Sequence, residues 1–117
     1  MSYSSKNYAE ITADISKAVK EIGQYSPDTL KGFRMMSAAA DKEGVLDRKT
    51  KELIAMAIGV AARCQGCLGF HAQALVKLGA TKEEFMEMLA VAVYMGGGPS
   101  LMTAAEALMA FEEFQNK

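Results

Sequence analysis

Reactive side chains are scarce in this sequence, whose 117 residues include two cysteines, one histidine and no tryptophan. The cysteines and the histidine nevertheless lie together, in the segment CQGCLGFH at residues 64–71. A lone cysteine pair in a cytosolic chain is more often catalytic or metal-binding than a structural staple. The segment could therefore be a redox centre, a metal site or a piece of the core.

The sequence also lacks an excess of charge and a long apolar run. Its net charge is −1 and no basic cluster is present, so neither nucleic acid nor a membrane surface is expected as a partner. The most apolar stretch, residues 53–62, has about half the length that a bilayer-spanning helix needs. The first residues, MSYSSKNYAE, do not have the apolar segment of a signal peptide. These features predict a cytoplasmic protein.

The composition is richer in apolar residues than one small domain can bury. The length predicts a single domain over residues 1–117. Hydrophobic residues make up 50% of the chain before its 10 glycines are counted, whereas globular proteins reach about 45–50% with glycine included. The surplus predicts apolar surface that is covered by further copies of the chain, in a homo-oligomer.

Apolar residues recur at helical spacing along the whole chain, and no segment has a convincing period of two. Asp47 is a candidate N-cap, Ser26 precedes a proline at a first helical position, and Thr81 with Glu84 forms a capping-box pattern. The pattern predicts a compact all-α bundle of six helices: residues 7–22 ending at Gly23, 27 to about 44, 48 to about 62, the cysteine segment to Gly79, 82–95, and 101–114 after the break GGGPS.

The cysteine segment has the spacing of a dithiol site. Cys64 and Cys67 form a C-x-x-C motif at the predicted mouth of a helix, where the partial positive charge of the helix start stabilises a thiolate. His71 follows Cys67 by four residues, so its imidazole stands on the same face of the helix and can take the thiol proton. The sequence therefore predicts a thiol that is activated by a neighbouring base.

A carboxylate is expected to orient the histidine, and Glu52 on the preceding helix is one candidate. If these two helices run antiparallel, a rise of 1.5 Å per residue leaves an axial mismatch of roughly 5–8 Å between Glu52 and His71. Long side chains and a tilted crossing can close such a gap. The same geometry leaves Glu43, Asp47 and Glu83 open as alternatives.

Other interpretations of the segment compete with the dithiol site. The cysteines could be two buried apolar residues, and the histidine could fill a polar gap in the core. A structural zinc site needs four ligands, but Cys64, Cys67 and His71 supply three, and only Glu52 or water could complete the set. Haem attachment requires histidine directly after the second cysteine, and Leu68 stands there. The sequence predicts neither a metal nor another cofactor.

With the motif in view, residues 46–100 resemble the carboxymuconolactone decarboxylase / AhpD-like alkylhydroperoxidase family. The redox branch of that family is marked by a glutamate twelve residues before a C-x-x-C and a histidine four residues after it, and Glu52, Cys64, Cys67 and His71 match this register. The segments LGATKEEF and GGGP are also similar to the family. The resemblance implies an all-helical fold that assembles into dimers, trimers or hexamers, with trimers and hexamers the leading expectation here.

The resemblance also implies chemistry: reduction of a hydroperoxide or a disulfide, with an external dithiol protein or small thiol as reductant. Cys67 would attack, Glu52 and His71 would relay its proton, and Cys64 would resolve the intermediate. The helix mouth by itself favours Cys64 as the nucleophile, so the order of attack stays open. Some relatives carry a second histidine inside the C-x-x-C; here Gly66 occupies that position, which leaves the relay one member short.

Two other functions remain compatible with the sequence. The fold could host a decarboxylating or isomerising lactone enzyme, in which His71 or Glu52 moves substrate protons and the cysteines are incidental. The chain could instead be a non-enzymatic thiol redox sensor, which would form a reversible disulfide without turnover. The intact cysteine pair favours the dithiol oxidoreductase over the lactone enzyme.

Overall fold

The computed structural model describes residues 7–117, and within them every regular element is a helix. The predicted all-α class and the six helices are confirmed. The helices are α1 (Tyr8–Tyr25), α2 (Pro27–Ala40), α3 (Arg48–Ala61), α4 (Gln65–Lys77), α5 (Lys82–Gly96) and α6 (Gly98–Gln115).

Helix α4 lies at the centre of the fold, where it packs against α1, α3 and α6. Leu68 and Leu75 of α4 are fully buried. Beside them Phe85 of α5 stacks on Phe111 of α6, with ring centroids 4.3 Å apart. Burial of side chains of this size stabilises a core by roughly 1.5–3 kcal/mol each, so this contact region holds α4 in place.

Two helix starts are built as the sequence predicts. The carboxylate of Asp47 accepts the Thr50 N–H at the start of α3, and this bond holds the pKa of Asp47 below its usual value. Thr81 and Glu84 form both hydrogen bonds of a capping box at the start of α5. The Nζ of Lys49 lies 2.9 Å from Oε2 of Glu84 and joins the two starts. Helices α3 and α5 therefore begin at the same end of the molecule.

Three helix bounds differ from prediction. Helix α1 continues through Gly23 instead of ending there. The glycine makes room for Leu30 of α2, since a Cβ on residue 23 would lie 2.5 Å from the Leu30 Cδ2 atom. Helix α1 ends at Tyr25 because Ser26 precedes a proline, which disfavours helical backbone. Helix α2 ends at Ala40, before residue 44.

The third difference is at the start of α6, which begins at Gly98 and includes Pro99. Proline is tolerated in the first turn of a helix, where its missing N–H would have no helical partner. Gly97, with φ of 75°, makes the turn out of α5. The glycine-rich break is therefore shorter than the pattern GGGPS indicates.

The start of α1 is fastened to α6. The carboxylate of Glu113 accepts the backbone N–H groups of Tyr8 and Ala9, at 2.7 and 2.9 Å. The Tyr8 side chain is fully buried, and among residues 7–117 its hydroxyl has no hydrogen-bond partner. Burial, with the nearby carboxylates of Glu106 and Glu113, raises the pKa of Tyr8 to about 12.

Apolar surface remains exposed after folding. Helices α3 and α5 each bury apolar residues on one side and expose others: Ile58 is 63% exposed and Met95 71%. No described helix is long and apolar enough to cross a membrane. The surplus of apolar residues is thus partly at the surface, and the homo-oligomer stays a prediction.

Candidate dithiol site

The two cysteines lie where α3 turns back into α4. Cys64 is the N-cap of α4, with extended backbone, and its Sγ accepts the backbone N–H of Cys67 at 3.2 Å. The sulfurs of Cys64 and Cys67 are bonded to each other, with their Cα atoms 5.3 Å apart. Both residues are half-buried. The pair is therefore able to form a disulfide in place and is not sealed from solvent.

A sharp turn presents Cys64 to the start of α4. Arg63 has φ of 56°, the left-handed conformation that costs a residue with a side chain about 1–2 kcal/mol. The Cys64 N–H then donates to the Gly59 carbonyl oxygen at 2.9 Å, which ties the turn to α3. Strained backbone of this kind persists where its surroundings hold it, and it clusters at functional sites.

Gly59 also allows α4 to approach α3 at Cys67. A Cβ on Gly59 would lie 3.0 Å from the Cys67 Cβ and 3.9 Å from its Sγ, closer than ordinary van der Waals contact for the first pair. Gly59 thus lies next to both cysteines: its carbonyl oxygen accepts the Cys64 N–H, and its lack of a side chain makes room for Cys67. Sequence reasoning missed this residue, although an isolated glycine inside a helical pattern is a signal of close packing.

Glu52 and His71 meet across the α3–α4 contact. The Oε2 of Glu52 lies 2.6 Å from the Nδ1 of His71, and the two side chains are 11% and 29% exposed. The alternatives are placed elsewhere: the carboxylates of Glu43 and Asp47 accept N–H groups at the start of α3, and Glu83 is exposed on α5. Of the four candidate carboxylates, the described structure brings Glu52 to the histidine.

This contact selects a tautomer. An ionised carboxylate can only accept hydrogen bonds, so the Nδ1 of a neutral His71 carries the proton that Glu52 receives. The lone pair of the neutral ring is then on Nε2. Because His71 lies one helical turn beyond Cys67 in α4, the two side chains project from the same side of the helix. The arrangement can therefore supply a base next to the cysteine pair.

Metal binding has no further support in the described residues. Across residues 7–117 no cluster of three histidine, cysteine, aspartate or glutamate side chains is placed to hold a metal ion. In the disulfide form, moreover, neither sulfur is a free thiolate of the kind that zinc prefers.

The sequence pattern of the carboxymuconolactone decarboxylase family matches residues 27–110. The chain belongs to this family. The match includes the whole of the α3–α4 unit that carries Glu52, the cysteine pair and His71. The resemblance that the motif suggests is therefore confirmed for the family and for its all-helical fold.

Solved structures of two carboxymuconolactone decarboxylase family proteins are similar to this chain. One, in its apo form from Legionella pneumophila, is 57% identical with a TM-score of 0.91, over 95% of this chain and 99% of that one. Another, from Thermotoga maritima and proposed for a role in an antioxidative response, is 28% identical with a TM-score of 0.81, over 90% of both chains. An uncharacterised protein of Cupriavidus necator is 36% identical over 99 residues, which are 85% of this chain and 88% of that protein.

The glycine inside the C-x-x-C has a structural explanation that sequence reasoning did not find. A Cβ on Gly66 would lie 3.0 Å from the Cδ1 of Ile15, so α1 fills the space next to this position. A histidine at residue 66, as some members of the family carry, would have to displace Ile15. In this chain an apolar side chain of α1 therefore lies against the first turn of α4.

Proposed function

We propose that this protein is a dithiol oxidoreductase that reduces a hydroperoxide or a disulfide by cycling Cys64 and Cys67 between thiols and a disulfide. The observation that carries the proposal is the bonded, half-buried cysteine pair with the Glu52–His71 hydrogen bond one helical turn further on. The proposed antioxidative role of the Thermotoga maritima relative supports the same chemistry.

The cycle with a hydroperoxide begins with the reduced pair. Nε2 of His71 takes the proton of the Cys67 thiol, and the thiolate attacks one oxygen of the O–O bond. That bond breaks, Cys67 becomes a sulfenic acid, and the alkoxide leaves as an alcohol with the proton from His71. The Cys64 thiol then attacks the sulfenic sulfur, the S–S bond forms and water leaves. An external dithiol returns both cysteines to thiols by two exchange steps.

The start of α4 contributes electrostatically to this cycle. Cys67 is the third residue of the helix, within the turn whose free N–H groups and dipole stabilise a negative sulfur. Gly66 and the covering Ile15 leave the relay with one histidine. We therefore expect disulfide exchange to be efficient and peroxide reduction to be weaker than in relatives with a second histidine.

The test is a thiol count combined with turnover. Reduced protein is mixed with an organic hydroperoxide, and free thiols are titrated before and after; two per chain should be lost. With excess dithiothreitol as reductant, Cys67→Ser should abolish peroxide consumption. Without dithiothreitol, Cys64→Ser should consume one hydroperoxide per chain and leave a sulfenic acid on Cys67, detected by mass after dimedone labelling. Gln65→Ala, which changes an exposed residue between the two cysteines, is the matched control and should stay active.

Three outcomes would contradict the proposal. Full peroxide and disulfide reduction by Cys67→Ser would remove that residue from the mechanism. Reversible disulfide formation without turnover of either substrate class would leave a redox sensor. Turnover of a carboxymuconolactone by a variant with both cysteines changed to serine would indicate lactone chemistry on the same fold.

A further inference from the structure

Helix α3 ends in a Schellman motif whose left-handed residue is Arg63. The Arg63 N–H donates to the Val60 carbonyl oxygen at 3.1 Å, which is the shorter-range bond of the motif. The Cys64 N–H donates to the Gly59 carbonyl oxygen at 2.9 Å, which is the longer-range bond. Arg63 has φ of 56° and stands directly after the helix cap, in the position that glycine usually occupies.

The end of α4 is the same motif with glycine in that position. The Gly79 N–H donates to the Val76 carbonyl oxygen at 3.1 Å, and the Ala80 N–H donates to that of Leu75 at 3.0 Å. Gly79 has φ of 79°, which glycine adopts without the clash that a Cβ introduces. Among residues 7–117, Arg63 is the only residue other than glycine with a positive φ. The chain therefore builds this turn twice and places the unfavourable residue type next to the cysteine pair.

The contacts of the Arg63 side chain do not offset this strain. The side chain is exposed, and within the described part of the chain it forms no ion pair and no hydrogen bond. A strained residue that the fold itself does not require points to a function for its side chain. In this turn the function has to concern the adjacent cysteines, because Arg63 directly precedes Cys64.

Arg63 is also isolated in charge. It is the one Asp, Glu, Lys or Arg residue of segment 53–76, which holds most of α3, the cysteine turn and nearly all of α4. Helix α5, which packs against α3, has no charged residue in its last two turns. The part of α1 that contacts the first turn of α4 carries one charge of each sign, Asp14 and Lys17. The carboxylate of Glu52 is nearly buried and already bonded to the imidazole, so the exposed charge next to the sulfurs is positive.

The guanidinium group is suited to one kind of ligand. It is charged at every pH at which proteins fold, and its planar set of N–H donors matches the two oxygens of a carboxylate. The Cα atoms of Arg63 and Cys64 are about 3.8 Å apart, as in any consecutive residues, and the arginine side chain is longer than this. A molecule with a carboxylate a few bonds from a reactive sulfur can therefore contact the guanidinium and a cysteine together.

We propose that Arg63 is a substrate-binding residue of the dithiol site and selects disulfides that carry a carboxylate close to the S–S bond. This inference rests on the proposed dithiol function and names a substrate class for it. The thiolate of one cysteine attacks a substrate sulfur, the substrate S–S bond breaks, and one thiol leaves with the proton that the cysteine gave up. The second cysteine attacks the mixed disulfide in the same way, so the second thiol leaves and the Cys64–Cys67 bond forms.

The first experiment measures charge recognition at the sulfurs without turnover. Reduced protein is alkylated with iodoacetate, an anion, or with iodoacetamide, its neutral counterpart, and the ratio of the two rates cancels any change in the thiolate fraction. Arg63→Gln should lower this ratio by about 2–5-fold, the size of an exposed ion pair, and Arg63→Lys should keep most of it. Lys77→Gln is the matched control, because it removes the same charge about 15 Å along α4 from Cys67. Equal ratios for Arg63→Gln and wild type would overturn the proposal.

The second experiment uses three small disulfides of different charge: 3,3′-dithiodipropionate is anionic, bis(2-hydroxyethyl) disulfide is neutral and cystamine is cationic. Pre-reduced protein is mixed with each, and its rate of oxidation is divided by that of dithiothreitol with the same disulfide. Wild type should favour the anion over the cation, and Arg63→Gln should lose this preference. Equal normalised rates for wild type would overturn the proposal and leave the dithiol function intact. Oxidation by none of the three would also overturn it, whereas the thiol count with a hydroperoxide tests the dithiol function separately.

A stability measurement tests whether Arg63 serves the fold instead. Arg63→Gly should raise the melting temperature by about 2–5 °C, because glycine relieves the strain, while oxidation by 3,3′-dithiodipropionate becomes slower. Gly79→Arg makes the reverse exchange in the matching turn and should lower the melting temperature. Nothing lies within 4 Å of a Cβ on Gly79, so the effect there comes from backbone conformation alone. A lower melting temperature for Arg63→Gly would show that the arginine stabilises the fold and would contradict the proposal.

Discussion

Helices α4 and α2 have nearly equal lengths, 13 and 14 residues, and opposite situations. Helix α4 buries four residues among three neighbouring helices, whereas α2 buries none and contacts only α1. Yet both helices carry apolar residues at helical spacing: Leu68, Ala72 and Leu75 in α4, and Phe33, Met36 and Ala40 in α2. An apolar stripe therefore predicts that a helix has a partner, but it does not say that the partner lies in the same chain.

The comparison bears on the proposed function, because the helix that is held on three sides carries Cys67 and His71 of the proposed dithiol site. A base and a thiol must keep their relative positions through a catalytic cycle, and packed elements hold side chains more closely than free ones. Four experiments break or sharpen this contrast, and the largest effect is expected at the proposed site itself.

Glu52→Gln should slow the oxidation of the reduced cysteines by a hydroperoxide by about 10²–10⁴-fold, the usual contribution of a positioned acid or base. The neutral amide no longer selects the His71 tautomer with its lone pair on Nε2. The measurement is the rate of thiol loss in stopped flow across pH. The control is Glu84→Gln, which removes a carboxylate paired with Lys49 at the surface. Equal rates for Glu52→Gln and wild type would remove Glu52 from the mechanism.

Leu68→Ala and Phe33→Ala compare α4 with α2 directly. Leu68 is fully buried, so its truncation should lower the free energy of unfolding by about 2–5 kcal/mol. Phe33→Ala should change it by no more than about 0.5 kcal/mol when the chain is dilute, since the ring is 59% exposed. Urea unfolding at several protein concentrations measures both. Similar losses for the two variants in dilute solution would mean that α2 is packed within the monomer.

Gly59→Ala and Gly32→Ala apply the same change to α3 and to α2. At Gly59 the new methyl group meets Cys67, and overpacking of this kind costs about 1–3 kcal/mol. Nothing lies within 4 Å of a Cβ on Gly32, so alanine there should stabilise α2 by about 0.4–1 kcal/mol. Thermal unfolding of both variants measures the contrast. A stabilising Gly59→Ala would show that α3 and α4 can separate at no cost.

Tyr8→Phe should have the smallest effect at neutral pH, within about 1 kcal/mol of wild type, because the buried hydroxyl has no partner among the described residues. The folded chain holds the phenol proton to a pKa of about 12, whereas the unfolded chain releases it near 10.0. The stability of the wild type should therefore be intact below pH 10 and fall as the pH rises towards 12. Chemical unfolding across this range should show a shallower fall for Tyr8→Phe; equal slopes would contradict the assignment.

Local signals were enough to predict most of the helices. Asp47, Thr81 and Glu84 act through neighbours three residues away, so their capping bonds can be inferred from sequence alone. The C-x-x-C motif and His71 are also close in sequence, so their placement on one side of a helix could be inferred in the same way. The end of α1 could not be predicted this way. Gly23 does not end the helix; its missing side chain makes room for Leu30 of α2.

Contacts between distant segments set the limit of prediction at the site. The axial estimate left four carboxylates open for His71, and only the crossing of α3 and α4 brings Glu52 to 2.6 Å. Gly59 and Ile15 carried no chemical signal, since one is a glycine and the other an ordinary apolar residue. Their roles depend on where the backbone of a second helix passes, which periodicity does not specify.

The hydrogen bonds from the first turn of α1 to Glu113 link segments 104 and 105 residues apart. A ribosome makes α1 before every other described helix, yet the acceptor for its opening N–H groups arrives with α6. Until then the Asn7 side chain caps the Glu10 N–H locally, while the N–H groups of Tyr8 and Ala9 can bond only to water. The start of α1 therefore reaches its final place on the fold only after the last described helix has been made.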